Sequence, residues 1–198
     1  MSPAPTSTAV RTRVDDSPTP SRQPDESIRT ARLALVPVAA EDADELAVVF
    51  ADERLYAFTG GRPGTVEELR DTLGRLARER AADPGAQLNW VARRLADGQA
   101  VGMLQAVFGA EGRSAEIAWL VGVPWQGQGL ASEAATAVVR WLEERGVEQV
   151  TAWIRPDHHA SESVATHAGL AVTDETRTSD RHDEVERLWR RPLRPVEG

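Results

Sequence analysis

"VPWQGQGLASEA", residues 123–134, decides the reading of this chain. Gly127 and Gly129, with Gly122 just upstream, make an open turn that runs straight into helix-forming residues. Ahead of the turn, "SAEIAWLVG" (114–122) reads as a strand. Behind it, Ala134, Ala137, Val138, Trp141 and Leu142 recur at helical spacing until Gly146 stops them. A helix opening near Ala131 has first N–H groups without intrahelical partners, and with the positive end of the helix dipole they form an anion site. Gly127 and Gly129 let the backbone approach a ligand and take positive φ, while small Ala131 and Ser132 leave the helix mouth open. A diphosphate suits that geometry. Two other readings stand beside it. A glycine-rich strand-to-helix turn is often only a turn, and "GQGLAS" imitates part of the dinucleotide fingerprint G-x-G-x-x-G. The fingerprint fits poorly. Three antiparallel-looking strands precede the turn, a single βαβ unit follows, and Glu148 and Gln149, about 20 residues on, precede a strand instead of ending one.

Working outward, "ARLALVPV" (31–38) is a short strand with Leu33 and Leu35 on one face, ended by Pro37. Ala43, Leu46, Ala47 and Phe50 mark one face of a helix. Thr65 and Glu68 form a capping box for a second helix through Val66, Leu69, Leu73, Leu76 and Ala77, closed by "DPG" at 83–85. "LNWVAR" (88–93) and "AVGMLQAVF" (100–108) are strands joined at Asp97-Gly98, and "GAEG" (109–112) links the second to the strand before the turn. The middle strand is apolar on both faces, as one covered on both sides should be. "EQVTAWI" (148–154) is a strand, Ser161 to Ala168 a short helix ended by Gly169, and "DEVERLWRRPL" (183–193) a last strand. The order β-α-α-β-β-β-turn-α-β-α-β-β predicts an α/β (mixed α+β) fold, a mixed sheet with helices on both faces. There is no internal repeat.

At 198 residues the chain holds one good core and not two ordinary domains. No stretch approaches the roughly 20 apolar residues of a membrane span, and the N-terminus has no apolar signal-peptide core. Cysteine is absent, which removes disulfides, thiolate zinc sites and thiol nucleophiles and points to the cytoplasm. Lysine is absent too, since all 23 basic residues are arginine, and with it go a Walker-type phosphate lysine and Schiff-base chemistry. The formal charge of −8 makes nucleic acid a poor partner and would attract a cationic amine, although acidic balance commonly serves solubility alone. Residues 1–29 are rich in Ser, Thr, Pro and charge without apolar periodicity and read as a disordered tail. Residues 30–193 form the domain, and 194–198 a C-terminal tail.

Gln126-Gly127-Gln128-Gly129-Leu130-Ala131 resembles the Q/R-x-x-G-x-G/A pyrophosphate loop of the GNAT superfamily of acetyl-CoA-dependent N-acetyltransferases. "AEIAWLVGVPWQGQGLASEA" (115–134) is similar to the strand-loop-helix core of the branch that includes ribosomal-protein N-terminal acetyltransferases. "PDHHASESVATHAGL" (156–170) is similar to that branch's N-x-x-S…G-[FM] helix. The resemblance runs from about Thr30 to Leu193. It implies a three-layer fold with a six- to seven-stranded mixed sheet. It also implies acetyl-CoA as co-substrate, its diphosphate on the amides of residues 126–131 with Val121, Val123, Ser132 and His158 around it, and its pantetheine between the strands ending at Val121 and Ile154. No metal is implied, and His158 and His159, being adjacent, diverge and make a poor metal pair.

Acyl transfer to an amine asks for a donor to polarise the thioester oxygen, and the resemblance puts it at the backbone N–H near Val121. It asks for a base, and Glu116 lies on a strand face with Ala118 and Leu120, where an acid is costly unless partnered or working; an ion pair is the other reading. The family's tyrosine, which protonates the leaving thiolate, is replaced by Ala165, and the chain's single tyrosine is Tyr56, far upstream. Ser161 aligns with the family's serine and His158 stands where asparagine is usual, so either could contact pantetheine or sulfur; a serine there also reads as a helix cap. The acceptor site falls to "RLYAFTGGRPGT" (54–65) and "RTSDRHDEVERLW" (177–189), with Gln105, Trp90 and Trp119 as candidate lining and core packing as the tryptophans' other reading. The expected function is acetyl transfer to a small amine or a protein or peptide N-terminus, with room for a homodimer. A non-catalytic acyl-CoA sensor is the alternative, suggested by the missing tyrosine.

Overall fold

Alternating apolar residues build one sheet, and helical stripes cover both of its faces. The computed structural model describes residues 26–83, 85–109, 111–179 and 184–192. Its strands are β1 (Ile28–Arg29), β2 (Leu33–Pro37), β3 (Gln87–Arg94), β4 (Ala100–Phe108), β5 (Ser114–Val121), β6 (Gln149–Ile154), β7 (Ala171–Thr178) and β8 (Val185–Pro192). The helices are α1 (Ala43–Val49), α2 (Val66–Ala82), α3 (Leu130–Glu143) and α4 (His159–His167). Among the described residues the strands form one sheet in the order β1-β2-β3-β4-β5-β6-β8-β7. Neighbours are antiparallel except β5 and β6, which run parallel with α3 as their crossover.

Helix α2 starts as its sequence dictates: the Thr65 hydroxyl accepts from the Glu68 N–H at 3.2 Å, and the Glu68 carboxylate accepts from the Thr65 N–H at 2.9 Å. Leu73 and Leu76 of α2 join Leu46 and Val49 of α1 against Val91, Met103 and Leu120 on one face of the sheet. Leu130, Ala134, Val138 and Leu142 of α3, with Val164 of α4, pack against Leu35, Trp90, Leu104, Ile117 and Ile154 on the other. The expected three layers are present, and β4 is covered on both sides.

The sheet has eight strands where six to seven were expected. One addition lies inside the segment assigned to the tail. Ile28 is buried and pairs with Leu35, and the Glu26 carbonyl accepts from the Trp90 indole N–H at 2.6 Å, so the fold begins before Thr30. Two residues are too few to show a periodicity, which is why composition placed them with the tail. The disorder expected for residues 1–25 and the tail at 194–198 lie outside the described residues. Helix α4 begins at His159, two residues before Ser161, with His158 as its N-cap residue.

Candidate active site

The 123–134 stretch leaves β5, makes a tight turn over Val123–Trp125 and enters α3 at Leu130. Gly127 and Gly129 have φ of 71° and 75°, the left-handed region that a side chain resists. Gly129 is the N-cap residue and offers no side chain, so the first N–H groups of α3 are not capped by it. The loop's own side chains hold its shape. Gln126 Nε2 donates to the Val121 carbonyl at 2.9 Å, and Gln128 Nε2 to the Pro124 carbonyl at 3.0 Å. The Leu130 side chain is buried in the core, so only its backbone faces a ligand. Ala131 and Ser132 are half-buried at the helix mouth, and Val123 packs against the α1/α2 core.

A gap adjoins this loop. β5 and β6 pair only over Ser114–Glu116 and Gln149–Thr151, although β5 runs on to Val121 and β6 to Ile154. Which backbone groups face the gap follows from the antiparallel ladder with β4. The Gly109 N–H donates to the Ser114 carbonyl and the Gly122 N–H to the Val101 carbonyl, so the even-numbered residues of β5 bond to β4. The N–H and C=O of Trp119 and Val121 therefore point the other way, toward β6, where no β6 residue pairs with them. Val121 is the expected polarising donor, and its N–H stands at the gap beside the loop.

Glu116 sits at the last β5–β6 rung, opposite Thr151. It is not sunk in the core: its side chain is 43% exposed, and Arg177 Nη1 lies 3.7 Å from its Oε2. The Arg177 guanidinium also stacks over Trp153 at 4.5 Å and bonds Glu186 at 2.8 Å. The ion-pair reading of Glu116 is thus realised geometrically, in an arrangement open enough for an amine to compete for the carboxylate. Gln105, opposite Ala118 on the same face, reaches Gln87 at 3.4 Å, and Ala118 itself is exposed. Trp90 is fully buried on the opposite face, edge-on to Trp141, and Trp119 packs against that same core, so neither lines this face.

His158 lies across the gap's β6 side. Its ring stacks on Phe58 at 4.1 Å, and Arg155 covers the same Phe58 ring at 5.2 Å. Arg155 also bonds the Ala57 carbonyl, Asp157 and Glu184, tying the 54–65 segment and the start of β8 to the end of β6. Burial pushes the His158 imidazole below its ordinary pKa, against the opposing pull of Asp157. A neutral ring at physiological pH follows. His159 turns elsewhere, its Nδ1 2.9 Å from Glu162, so the two histidines diverge as expected. Ser161 is half-buried in the first turn of α4, and the N-cap position belongs to His158, so the capping reading of Ser161 does not hold. Tyr56 spends its hydroxyl on the Phe50 carbonyl at 3.0 Å, and Ala165 is fully buried.

Sequence reasoning missed Arg32, Thr30 and Glu133. Arg32 donates through its backbone N–H and its Nε to the Glu133 carboxylate at 2.8 and 2.6 Å, and through Nη1 to the Gln128 carbonyl at 2.9 Å. Thr30 Oγ1 adds a bond to Glu133 at 2.6 Å. Burial alone would raise the Glu133 pKa, but the bonds from Thr30 and Arg32 bring it below the ordinary value. The only hint in the sequence is an acid in the first turn after a glycine loop. Among the described residues, one surface depression of about 370 Å³ is lined by Glu79, Gln87 and Val107, and another of about 560 Å³ by Ser114 and Gln149 at the end of the β5–β6 pairing away from the loop. Among the described residues no helix is long and apolar enough to cross a membrane, and no group of three or more His, Asp or Glu residues is placed to hold a metal ion.

The family described as acetyltransferase (GNAT) domain matches residues 32–171. No curated protein matches the chain. Among solved structures, the ribosomal L7/L12 alpha-N-protein acetyltransferase RimL in complex with coenzyme A superposes with a TM-score of 0.75 at 17% identity, over 85% of this chain and 98% of that one. RimJ of Mycobacterium smegmatis, in complex with a CoA disulfide, gives 0.72 at 21% identity over 85% and 88%. The microcin C7 self-immunity acetyltransferase MccE, in complex with acetyl-CoA and AMP, gives 0.72 at 12% identity over 82% and 93%. At these identities the likeness is one of fold.

Proposed function

The chain belongs to the family of GNAT acetyltransferase domains, acetyl-CoA-dependent acyltransferases, and on that premise we propose that it acetylates a primary amine, the N-terminus of a protein or peptide, by direct attack in the β5–β6 gap. The observation that carries the proposal is the junction of that gap with a helix mouth whose two glycines are both left-handed. Acetyl-CoA supplies an acetyl group activated as a thioester. The residues fit it: the Gln126 N–H is spent on the Val123 carbonyl at 3.2 Å, which leaves the N–H groups of Gly127 to Ala131, at the uncapped start of α3, for the diphosphate, with Val123, Ser132 and His158 as its further neighbours. The Val121 N–H polarises the carbonyl oxygen. Glu116 takes the ammonium proton, directly or through water, as the amine displaces Arg177. Ser161 and neutral His158, both at the start of α4, would supply a proton or a hydrogen bond to the departing sulfur in place of the missing tyrosine.

The acceptor face favours a peptide end over a small amine. It is open, with Ala118 and Val107 exposed, and is floored by amide, hydroxyl and indole groups of Gln105, Thr151 and Trp153. The reaction is assigned to the cytoplasm. The test is thiol release from acetyl-CoA with peptides bearing a free N-terminus, the same peptides blocked by acetylation, and small amines. Release with free but not blocked peptides is expected. Release with no amine at all, or at a rate indifferent to the amine, refutes the reading.

A further inference from the structure

A diphosphate carries more negative charge than uncharged amides and a helix dipole neutralise, and the loop has no cation of its own. Residues 122–132 contain no arginine or lysine, and Gln126 turns its side chain back to the Val121 carbonyl. The first turn of α3 instead carries an acid, Glu133. Left bare, that carboxylate would repel the anion the loop is shaped for. Arg32, arriving just ahead of β2, lies against both. Its backbone N–H and Nε bond the Glu133 carboxylate, and Nη1 bonds the Gln128 carbonyl inside the loop. Nη2 lies 3.5 Å from where a Cβ on Gly129 would stand, and has no protein partner among the described residues. The side chain is half-exposed, at 49%.

We propose that Arg32 is the positioning residue of the diphosphate loop: it cancels the Glu133 charge, braces the loop through Gln128, and presents its remaining guanidinium N–H groups to the ligand's phosphates. This rests on the reading that the loop holds the diphosphate of coenzyme A. The geometry separates three jobs in one planar group, which a lysine could not do, since only the guanidinium fork meets a carboxylate and a carbonyl at once while keeping a donor spare.

The test is calorimetric affinity for coenzyme A and for pantetheine, which lacks the diphosphate, in the intact chain. Arg32→Gln should weaken coenzyme A binding about tenfold or more, as loss of a charge-assisted hydrogen bond does, and leave pantetheine binding unchanged. The salt dependence of coenzyme A affinity should flatten with it. Glu133→Gln, which keeps Arg32 and removes the competing acid, should bind coenzyme A at least as tightly as wild type, and introducing Glu133→Gln into the Arg32→Gln background should recover part of the loss. Arg32→Gln with wild-type coenzyme A affinity overturns the proposal, as does an equal loss for pantetheine, which would make Arg32 a support of the fold alone. If Arg32→Gln does not fold, a tenfold loss in Glu133→Gln overturns it instead. A wild-type protein that binds coenzyme A no better than pantetheine refutes the loop reading itself.

Discussion

Replacing Gly129 by alanine tests whether its left-handed backbone serves the ligand or only the turn. Its φ is 75° and its ideal Cβ approaches nothing closer than Arg32 Nη2 at 3.5 Å, so the cost is backbone strain and not collision. Holding a non-glycine residue there costs roughly 1–2 kcal/mol. At 2–4 °C per kcal/mol for a domain of this size, the melting temperature falls by about 2–8 °C. Gly98, in the β3–β4 hairpin, has the same φ of 75° and nothing within 4 Å of its Cβ, which makes Gly98→Ala a matched control. The two variants should melt alike without ligand. With coenzyme A at 100 times the wild-type dissociation constant, wild type and Gly98→Ala gain about 2.7 kcal/mol. In Gly129→Ala the chain relieves strain by turning amides away from the ligand. A tenfold weaker site would gain only about 1.4 kcal/mol under the same conditions, roughly 3–5 °C less shift. Differential scanning fluorimetry with and without coenzyme A reads this directly. A full coenzyme A shift in Gly129→Ala would refute the claim that this conformation is held for the ligand.

Glu116→Gln should lower turnover by about 10²–10⁴-fold with coenzyme A affinity unchanged, and the loss should shrink as pH rises and more amine is already neutral; steady-state rates against pH check this, and full activity would move the base to His158. Thr65→Ala removes half of the α2 capping box and should cost ~1 kcal/mol of stability, about 2–4 °C in melting, without altering coenzyme A affinity. Burial raises the pKa of Glu45, but its bonds from the Ala100 N–H and Arg93 outweigh that and leave it below the ordinary 4.5. The unfolded chain therefore binds this proton first, so Glu45 stabilises the fold above about pH 4.5 and the contribution fades as pH falls through the folded value. Glu45→Gln should flatten that part of the acid-unfolding curve, measured by denaturant melts from pH 6 down to 3.

What local pattern encodes was legible in the sequence. The stripe of α3, the capping box of α2, the hairpin at Asp97-Gly98 and the glycine loop each depend on residues a few positions apart, and the structure reproduces each of them. Contacts between distant segments left no such trace. Arg32 and Glu133 lie 101 positions apart, and nothing periodic announces that they meet. Phe58 and His158 are likewise joined only by the folded sheet. Glu116 was legible as an acid in a strand, but its partner Arg177 comes from the far edge strand and its exposure depends on how the layers leave that face uncovered. Trp90 illustrates the converse: its type suited a binding face, and strand register alone decides that it faces the other way.

The short β5–β6 pairing also bears on mechanics. Strands β1 to β5 and β6 to β8 are two half-sheets sewn by three residue pairs. On one face α3 bridges the seam, and on the other the Arg177–Glu116 contact crosses it. The opening energy of so lightly stitched a seam is a local quantity, separable from global unfolding. A ligand lying in the gap would act as the missing stitches. Amide hydrogen exchange in β6 and at the end of β5 should then slow far more on ligand binding than exchange in the β3–β4 pair, so the rigidity of this one seam becomes a gauge of whether the site is filled.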